Sequence, residues 1–293
     1  MRTKEAWKHE LVKVDGLRMH YVTQGEGELV LLLHGFPDSW YVWRSQIPEL
    51  AKRFRVVAPD LRGYNKTDKP KGVENYRLHL LTGDILGLIN ALGERKATII
   101  GHDWGGTVAW SLAAFNPEHV ERLVILNSPH PNAYAMKTKH SFRQLQKSWY
   151  VFFFQILDVP EEVLSRNDYF FLKNMVQLSF IKKEVLKDED LKVYAEAWSQ
   201  PGALTAAINY YRANMNPNIL FAQKTTTFPK ISIPTLVIWG EQDVALSKDL
   251  IENAEEFVNA PFSIKYLPNC GHWVHLEEPE LVNKYIDEFL KKH

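Results

Sequence analysis

The 293-residue chain has one cysteine, no net charge and no long apolar run. The single Cys270 excludes an intrachain disulfide, which is typical of a protein kept in a reducing compartment. Lys plus Arg and Asp plus Glu are equal at 35 each, so the composition predicts no nucleic-acid partner and no membrane partner. Residues 1–10 are polar, unlike a signal peptide, and no window approaches the roughly 20 apolar residues of a membrane span. We therefore expect a cytoplasmic protein.

Eight short segments have strand character and alternate with segments of helical period. Asp15-Gly16 is a two-residue hairpin signal between the first two segments, and residues 29–33 form a continuous apolar run typical of a strand buried on both faces. The clearest helix has apolar residues on one stripe from Leu78 to Leu92 and ends before Gly93. The eight strand segments are residues 11–14, 17–22, 29–33, 55–58, 97–100, 122–126, 235–239 and 263–267. This alternation predicts an α/β fold with a mostly parallel sheet flanked by helices.

The alternation stops between about residues 127 and 233. That stretch has aromatic segments of helical period, such as residues 170–180 and 191–211, but no convincing buried strand. One interpretation is a continuous domain with a helical half. The return of the pattern at residue 235 favours a helical cap, residues 129–230, inserted into a core formed by residues 1–128 and 231–293.

An aspartate occupies the position where many hydrolytic enzymes carry a serine. Residues 101–106, Gly-His-Asp-Trp-Gly-Gly, lie between a predicted strand and a predicted helix, the setting of the G-x-S-x-G nucleophile elbow. A carboxylate with a pKa near roughly 3.9 is ionised at neutral pH and needs no base to become a nucleophile. Attack on an acyl carbon would give a labile anhydride, whereas attack on a saturated carbon gives an alkyl ester. Asp103 therefore predicts displacement at an sp3 carbon, as in opening an epoxide or expelling a halide.

An alkyl ester must then be hydrolysed, which calls for a base and an acid that orients the base. Asp243 and His272 follow the nucleophile in chain order, each in a loop after a predicted strand, where active sites of open α/β sheets gather. Glu241 is an alternative to Asp243, although the spacing after the strand favours Asp243. His275 is an alternative to His272, although it lies at the approach to the last helix.

Two further features lie near this end of the chain. His272, His275, Glu277 and Glu278 superficially resemble a metal cluster, but their spacing matches no recognised site, so we predict no metal and no cofactor. Cys270 beside His272 lacks an elbow and is predicted to be a small packed residue.

Residues 34–37, His-Gly-Phe-Pro, follow a buried strand, where a loop supplies an oxyanion-hole N–H. We expect Phe36 and Trp104 to be the two donors, although a simple tight turn would explain the same residues; Pro37 is a candidate for a cis bond.

Four segments together resemble the epoxide hydrolases of the α/β-hydrolase fold. They are residues 34–40 (His-Gly-Phe-Pro-Asp-Ser-Trp), 59–64 (Pro-Asp-Leu-Arg-Gly-Tyr), 101–106 and 271–273 (Gly-His-Trp), and the likeness extends along nearly the whole chain. By this resemblance Asp103 is the nucleophile, His272 the water-activating base and Asp243 its partner, in an eight-stranded, mostly parallel sheet with a helical cap. The resemblance implies an apolar pocket lined by His34, Pro37, Trp149, Phe153 and Trp273.

The resemblance also implies two cap tyrosines that protonate the leaving oxygen of an epoxide. Residues 149–155 place Tyr150 at the first donor position, and residues 209–212 place Tyr211 at the second, with Tyr210 as the alternative. A tyrosine suits this work because its pKa of about 10 lies far below that of the alcohol formed. The expected activity is cofactor-independent hydrolysis of a small apolar epoxide by water, in a monomer or homodimer. A dehalogenase with the same triad and a non-catalytic ligand receptor are the rival hypotheses.

Overall fold

A computed structural model describes residues 7–222 and 227–293 of the protein. Its centre is one eight-stranded sheet in the order β1-β2-β4-β3-β5-β6-β7-β8. β1 and β2 form an antiparallel hairpin, β2 is antiparallel to β4, and all other neighbours are parallel. The strands are β1 Lys8–Val14, β2 Leu17–Gln24, β3 Leu29–Leu33, β4 Arg55–Pro59, β5 Ala97–His102, β6 Val120–Leu126, β7 Thr235–Gly240 and β8 Phe262–Leu267. The sheet confirms the predicted fold class and all eight strand segments.

The pattern of burial explains why these segments are strands. Every residue of β3 is buried because β3 lies between β4 and β5 and is covered on both faces. At the β1–β2 turn, Asp15 and Gly16 both have positive φ, 46° and 88°, as a two-residue hairpin turn requires. Since β3, β5, β6, β7 and β8 are parallel, the loops after them emerge at one edge of the sheet. This edge carries the candidate site.

Helices cover both faces of the sheet, and a run of helices separates β6 from β7. Short 3-10 turns occur at Trp40–Trp43, Val73–Tyr76, Pro117–His119, Lys183–Val185, Lys248–Leu250 and Ala254–Phe257. No helix within residues 7–222 and 227–293 combines the length and apolar character needed to cross a membrane. The α-helices are α1 Ile47–Leu50, α2 Leu78–Ala91, α3 Trp104–Phe115, α4 Pro131–Thr138, α5 Phe142–Lys147, α6 Trp149–Phe153, α7 Val159–Leu178, α8 Asp188–Trp198, α9 Ala203–Asn214, α10 Pro217–Leu220, α11 Val274–Glu277 and α12 Pro279–Lys292.

Two helical expectations need correction. Residues 191–211, which read as one helix-period segment, form α8 and α9 with a break at residues 199–202. Pro201 followed by Gly202 at a φ of 80° causes the break, because proline lacks the N–H and glycine tolerates the left-handed region. α7 begins well before residue 170 and is interrupted at residues 166–169, where Asn167, Asp168 and Tyr169 have φ values of 51°, 55° and 60°.

Candidate active site

Asp103 lies at the sharp turn between β5 and α3. Its φ of 51° and ψ of −120° are unusual for a residue other than glycine and turn the side chain out of the sheet edge. The backbone packs closely at this turn because residue 105 is glycine: a Cβ there would lie 2.1 Å from the carbonyl oxygen of Leu33. The Asp103 carboxylate accepts the backbone N–H of Phe36 at 2.8 Å and also that of Trp104. Both expected oxyanion-hole donors therefore point at the carboxyl group.

His272 lies between two carboxylates. Its Nε2 is 3.6 Å from Oδ2 of Asp103, and its Nδ1 is 2.7 Å from Oδ2 of Asp243. The remaining oxygen of Asp243 accepts the backbone N–H groups of Ala245 and Leu246 at 2.7 and 2.9 Å. These bonds fix Asp243, and Asp243 in turn fixes the ring of His272 with Nε2 facing Asp103. The loops after β5, β7 and β8 thus bring together the three residues that the sequence predicted.

Charges in this group shift one another's pKa values. Burial raises the pKa of Asp103, although His272 and the N–H groups of Phe36 and Trp104 oppose the rise. Burial lowers the pKa of His272, but the charge and hydrogen bond of Asp243, then the charge of Asp103, outweigh it and raise the pKa to about 9. Burial would also raise the pKa of Asp243, yet His272 and the surrounding donors lower it overall. The site therefore favours an ionised Asp243 beside a cationic His272 in the resting state.

Tyr150 on α6 and Tyr211 on α9 lie across from the Asp103 carboxylate. Their ring centroids are 5.6 Å apart, and the ring of Tyr211 packs edge-on against Phe36 and Trp104. Burial raises the pKa of both phenols well above the usual value, and the charge of Asp103 adds to the rise, so both hydroxyls keep their protons. The hydroxyl of Tyr210 instead donates to the carbonyl oxygen of Arg62 at 2.8 Å. This geometry favours Tyr211 over Tyr210 as the second donor.

Two cavities meet at this point. The larger, about 950 Å³, extends between the core and the α9–α10 region, and the smaller, about 320 Å³, extends beneath α6 and α7. Asp103, Tyr150 and Tyr211 line both cavities, whereas His272 lines the smaller one alone. A substrate in either cavity would therefore meet the carboxylate and both phenols.

The residues that were alternatives for the catalytic roles, Glu241, His275 and Cys270, have other surroundings. Glu241 pairs with Lys248, and His275 is fully buried against the rings of Trp43 and His102. Cys270 is buried, and burial with the nearby Glu277 and Glu278 raises the pKa of its thiol to about 12, which keeps it neutral. Among the described residues, no three His, Cys, Asp or Glu side chains are grouped so that they could hold a metal ion.

Two of the five expected pocket residues lie elsewhere. Pro37, in a cis bond with Phe36, lines the smaller cavity together with Trp149 and Trp273. His34 lines neither cavity. Its Nδ1 donates to the carbonyl of Gly35 and its Nε2 accepts the N–H of Leu61, so both ring nitrogens are hydrogen-bonded within the core. Phe153 also lines neither, because its ring packs beside Trp149 and Phe154.

Three buried polar residues around the site were not found from the sequence. Asn127, just after β6, donates to Asp243 at 2.7 Å and accepts from Gly240 at 2.9 Å. Asp38 accepts the indole N–H of Trp273 at 2.9 Å, and burial, with the charge of Asp103, raises its pKa to about 7 against the hydrogen bond from Trp273. Two sequence signals could have indicated these residues: Asn127 lies at the end of a strand, and Asp38 lies within the motif of residues 34–40.

The third such residue, Glu277, joins the His272 loop to the helical segment. Its carboxylate accepts the backbone N–H of Gly271 at 2.8 Å and those of Ile181 and Lys182 at 3.0 Å each. The adjacent Glu278 forms an ion pair with the Lys182 side chain. Residues 181–182, just after α7, are thus attached to the residue that precedes His272.

Comparison with known proteins identifies the family of the chain. The sequence profile of the alpha/beta hydrolase fold family matches residues 28–279. The chain belongs to that family. It is 41% identical to the AB hydrolase superfamily protein YfhM of Bacillus subtilis (strain 168), across 97% of this chain and 98% of that one. It is also 41% identical to human epoxide hydrolase 4, across 96% of this chain and 78% of that protein.

A solved structure shows the same architecture. The Bacillus megaterium epoxide hydrolase in complex with an inhibitor superposes with a TM-score of 0.90 at 33% identity, across 96% of this chain and all of that one. Within the alpha/beta hydrolase family, the chain therefore groups with the epoxide hydrolases, as residues 34–40, 59–64, 101–106 and 271–273 predicted.

Proposed function

We propose that the protein hydrolyses epoxides to vicinal diols through a covalent ester on Asp103. The observation that carries the proposal is the shared lining of the two cavities by the Asp103 carboxylate, Tyr150 and Tyr211. A nucleophile faces two protonated phenols across a space open to apolar groups on both sides. That arrangement suits a reaction that needs attack on carbon and proton donation to oxygen together.

In the first step, Tyr150 and Tyr211 hold the epoxide oxygen by their hydroxyl groups. An oxygen of Asp103 bonds to a ring carbon, the carbon–oxygen bond of the ring breaks, and a tyrosine proton passes to the departing oxygen. A halide would need no such proton. The indole N–H of Trp104 hydrogen-bonds to Tyr211, which leaves it less suited to hold a halide. These contacts favour an epoxide over a haloalkane.

In the second step, His272 removes a proton from water, which attacks the carboxyl carbon of the ester. The N–H groups of Phe36 and Trp104 stabilise the resulting oxyanion. When it collapses, the departing diol oxygen takes the proton from the His272 imidazolium, and the proton of the acid left on Asp103 passes to the tyrosinate, which restores the Asp103 carboxylate and the neutral phenol. We place the attacking water in the smaller cavity, because His272 lines that cavity. Asp243 stabilises the imidazolium that forms.

Formation of the ester changes the basicity of His272. The Asp103 charge, 3.6 Å from Nε2, helps to hold the His272 pKa at about 9, and the ester removes this charge. The pKa of His272 then falls, and the neutral imidazole needed for the second step becomes the favoured form at a lower pH. Ester formation on Asp103 thus favours the neutral form of His272, which is the form that can act as the base.

This coupling predicts a lower His272 pKa in an isosteric variant of Asp103. Asp103→Asn removes the same charge, and we expect the His272 pKa to fall by roughly one unit or more, the Coulomb effect of a charge at this distance even in a water-like dielectric. NMR titration of the His272 ring in the wild type and the variant measures the difference. Equal pKa values in the two proteins would contradict the proposed coupling.

The tyrosines are tested by removing each hydroxyl. Tyr150→Phe and Tyr211→Phe should each slow ester formation by about 10²–10⁴-fold, the usual contribution of a positioned acid, with hydrolysis of the ester little changed. Rapid-quench measurement of the two steps separates these effects. Tyr210→Phe is the matched control, because its hydroxyl already bonds to Arg62; a large loss of ester formation in this control alone would assign the role to Tyr210 instead.

We further propose that residues 129–230 act as a cap on a core of residues 1–128 and 231–293. In support, the cap would supply Tyr150 and Tyr211, and the core would supply Asp103, Asp243 and His272. Residues 223–226 of this cap lie outside the described part of the chain, as do residues 1–6 of the core.

The activity itself is tested with a panel of aryl and alkyl epoxides and haloalkanes, assayed in parallel for diol and halide, with Asp103→Ala as the blank. Diol release absent from the blank is the expected result. Halide without diol would favour the dehalogenase, and binding without turnover would favour a receptor.

A further inference from the structure

Tyr150 lies on a helix that is too short to fix its own position. α6 has five residues, and isolated helices shorter than roughly 12–15 residues are marginal in water. The place of the Tyr150 hydroxyl therefore depends on contacts between the ends of α6 and other segments. At the start of α6, the preceding α5 is bonded to the core, because the Gln144 side chain donates to Ala245 and accepts from Ser247. A different residue holds the end of α6.

α9, which carries Tyr211, is attached directly to the segment after β4. The hydroxyl of Tyr210 donates to a backbone carbonyl of that segment. The side chain of Asn214 accepts the N–H of Leu78 and donates to the carbonyl oxygen of Tyr76, at 2.8 Å in each case. α9 therefore holds Tyr211 through contacts that do not involve α6.

Arg212 connects the end of α6 to α9. Its Nε donates to the carbonyl oxygen of Phe154 at 2.8 Å, and its Nη2 donates to that of Ile156 at 2.7 Å. Nη1 and Nη2 each donate to one carboxylate oxygen of Glu161, at 2.6 and 3.0 Å. Nη1 also donates to Oδ1 of Asn209 at 3.4 Å. With these five bonds, every N–H of the guanidinium has an acceptor.

The shape of this group of contacts is specific for arginine. The side chains of Arg212 and Glu161 are only 7% and 17% exposed. A bidentate pair of Arg and carboxylate fixes geometry as well as supplying energy, and the compact ammonium group of lysine cannot reproduce it. Phe154, Ile156 and Glu161 lie between the end of α6 and the first turn of α7, so one side chain fixes this whole connection.

The bond to Phe154 reaches Tyr150 through one turn of the chain. The N–H of Phe154 donates to the carbonyl oxygen of Tyr150 at 2.9 Å, and the two ring centroids are 5.8 Å apart. The ring of Phe154 also packs against that of Tyr211 at 5.0 Å. Gln155 adds a weaker link, because its side-chain nitrogen donates to the carbonyl oxygens of Val151 and Tyr211 at 3.0 and 3.4 Å. The separation of the two phenol rings, 5.6 Å, therefore depends on the guanidinium contacts at the end of α6.

We propose that Arg212 is a positioning residue that holds Tyr150 beside Tyr211, so that both hydroxyls can bond to the same epoxide oxygen. This role rests on the proposed function, in which the two phenols act together in ester formation. Arg212 lines neither cavity, so it acts through the tyrosines and not by contact with the substrate. Its bonds go to residues 154–161 and 209, and not to His272 or Asp243, so hydrolysis of the ester does not depend on it.

The test is the rate of ester formation in the Arg212→Lys variant, measured by rapid quench in a single turnover. Lysine keeps the charge but cannot hold two carbonyl oxygens and both carboxylate oxygens, so Tyr150 should be displaced. A displacement of about 1 Å can cost roughly 10²-fold in rate, and we expect ester formation to slow by about 10- to 10²-fold with hydrolysis of the ester unchanged. Ester formation at the wild-type rate, or equal slowing of both steps, would overturn the proposal.

A second comparison separates positioning from a general structural role. If Arg212 acts through the hydroxyl of Tyr150, Arg212→Lys should slow ester formation by less than about twofold in a protein that already carries Tyr150→Phe, because the two effects are not additive. The same fractional loss in both backgrounds would contradict the proposal. Glu161→Gln removes the charge of the partner while keeping its size. It replaces the lysine variant if that variant folds poorly, and its effect should show the same dependence on Tyr150.

Arg62→Lys is the matched control. Arg62 also forms a bidentate pair with a buried carboxylate, because it donates to both oxygens of Asp84 at 2.7 and 2.5 Å, but it is not bonded to α6. Its backbone carbonyl, which holds Tyr210, is retained in the variant. Both steps should keep their wild-type rates, and a loss of ester formation as large as that in Arg212→Lys would assign the effect to general destabilisation.

A crystal structure of the Arg212→Lys variant tests the position of Tyr150 without reference to activity. The Tyr150 ring should move from its place 5.6 Å from Tyr211, and an unmoved ring would overturn the inference. Failure of the proposed function is distinguishable from this outcome: a wild-type protein that forms no ester with any epoxide would count against that function, whereas normal ester formation in both proteins would count against the role of Arg212 alone.

Discussion

Replacing Asp103 by alanine is expected to abolish diol formation, with kcat reduced by about 10⁴-fold or more, as for other enzymes that lose their nucleophile. Among the described residues no other carboxylate lines either cavity, and Asp243 is directed at His272, Ala245 and Leu246. The cavities and both tyrosines would persist in the variant, so it would still bind an epoxide. Steady-state turnover, with circular dichroism as the check on folding, measures the loss. Diol formation within tenfold of the wild-type rate would refute the covalent mechanism.

Replacing His272 by glutamine is expected to separate the two steps. Ester formation needs Asp103 and the tyrosines, whereas hydrolysis needs the base, so the variant should consume one equivalent of epoxide and then stop. Hydrolysis of the ester should slow by about 10²–10⁴-fold. Mass spectrometry would show the intact protein heavier by the mass of the epoxide, with the adduct on the peptide that contains Asp103.

The double variant with Asp103→Ala and His272→Gln provides the control for that experiment, because it should gain no mass. An adduct on any residue other than Asp103 would identify a different nucleophile. Loss of turnover without an adduct would mean that His272 also acts in the first step.

The sequence predicted the sheet well because its strands are short, apolar and separated by clear turn signals. Asp103, Asp243 and His272 were accessible for the same reason: each follows a strand, and parallel strands bring their ends to one edge. Tyr150 and Tyr211 were different. No periodicity distinguishes them from the other ten tyrosines, and they were identified by resemblance alone.

What the sequence missed depends on contacts between distant segments. Asn127, Asp38 and Glu277 meet their partners across more than 90 residues of chain in most cases, and a single sequence carries no sign of such pairings. His34 and Phe153 were misplaced because a motif gives the position of a residue but not the direction of its side chain.

The contacts of Glu277 hold the end of α7 in place beside the smaller cavity. Separating residues 181–182 from the His272 loop would break two hydrogen bonds to a buried carboxylate, each worth roughly 1.5–3 kcal/mol, and would leave that charge poorly solvated. The end of α7 is thereby held to the core, and a displacement there would pull on Gly271 and tilt the base. α5 is fixed to the core as well, because the Gln144 side chain bonds to Ala245 and Ser247 in the loop that follows Asp243. The helices on two sides of the smaller cavity are therefore tied to the loops that carry Asp243 and His272, so the cavity keeps its shape while the hydrolytic machinery stays aligned.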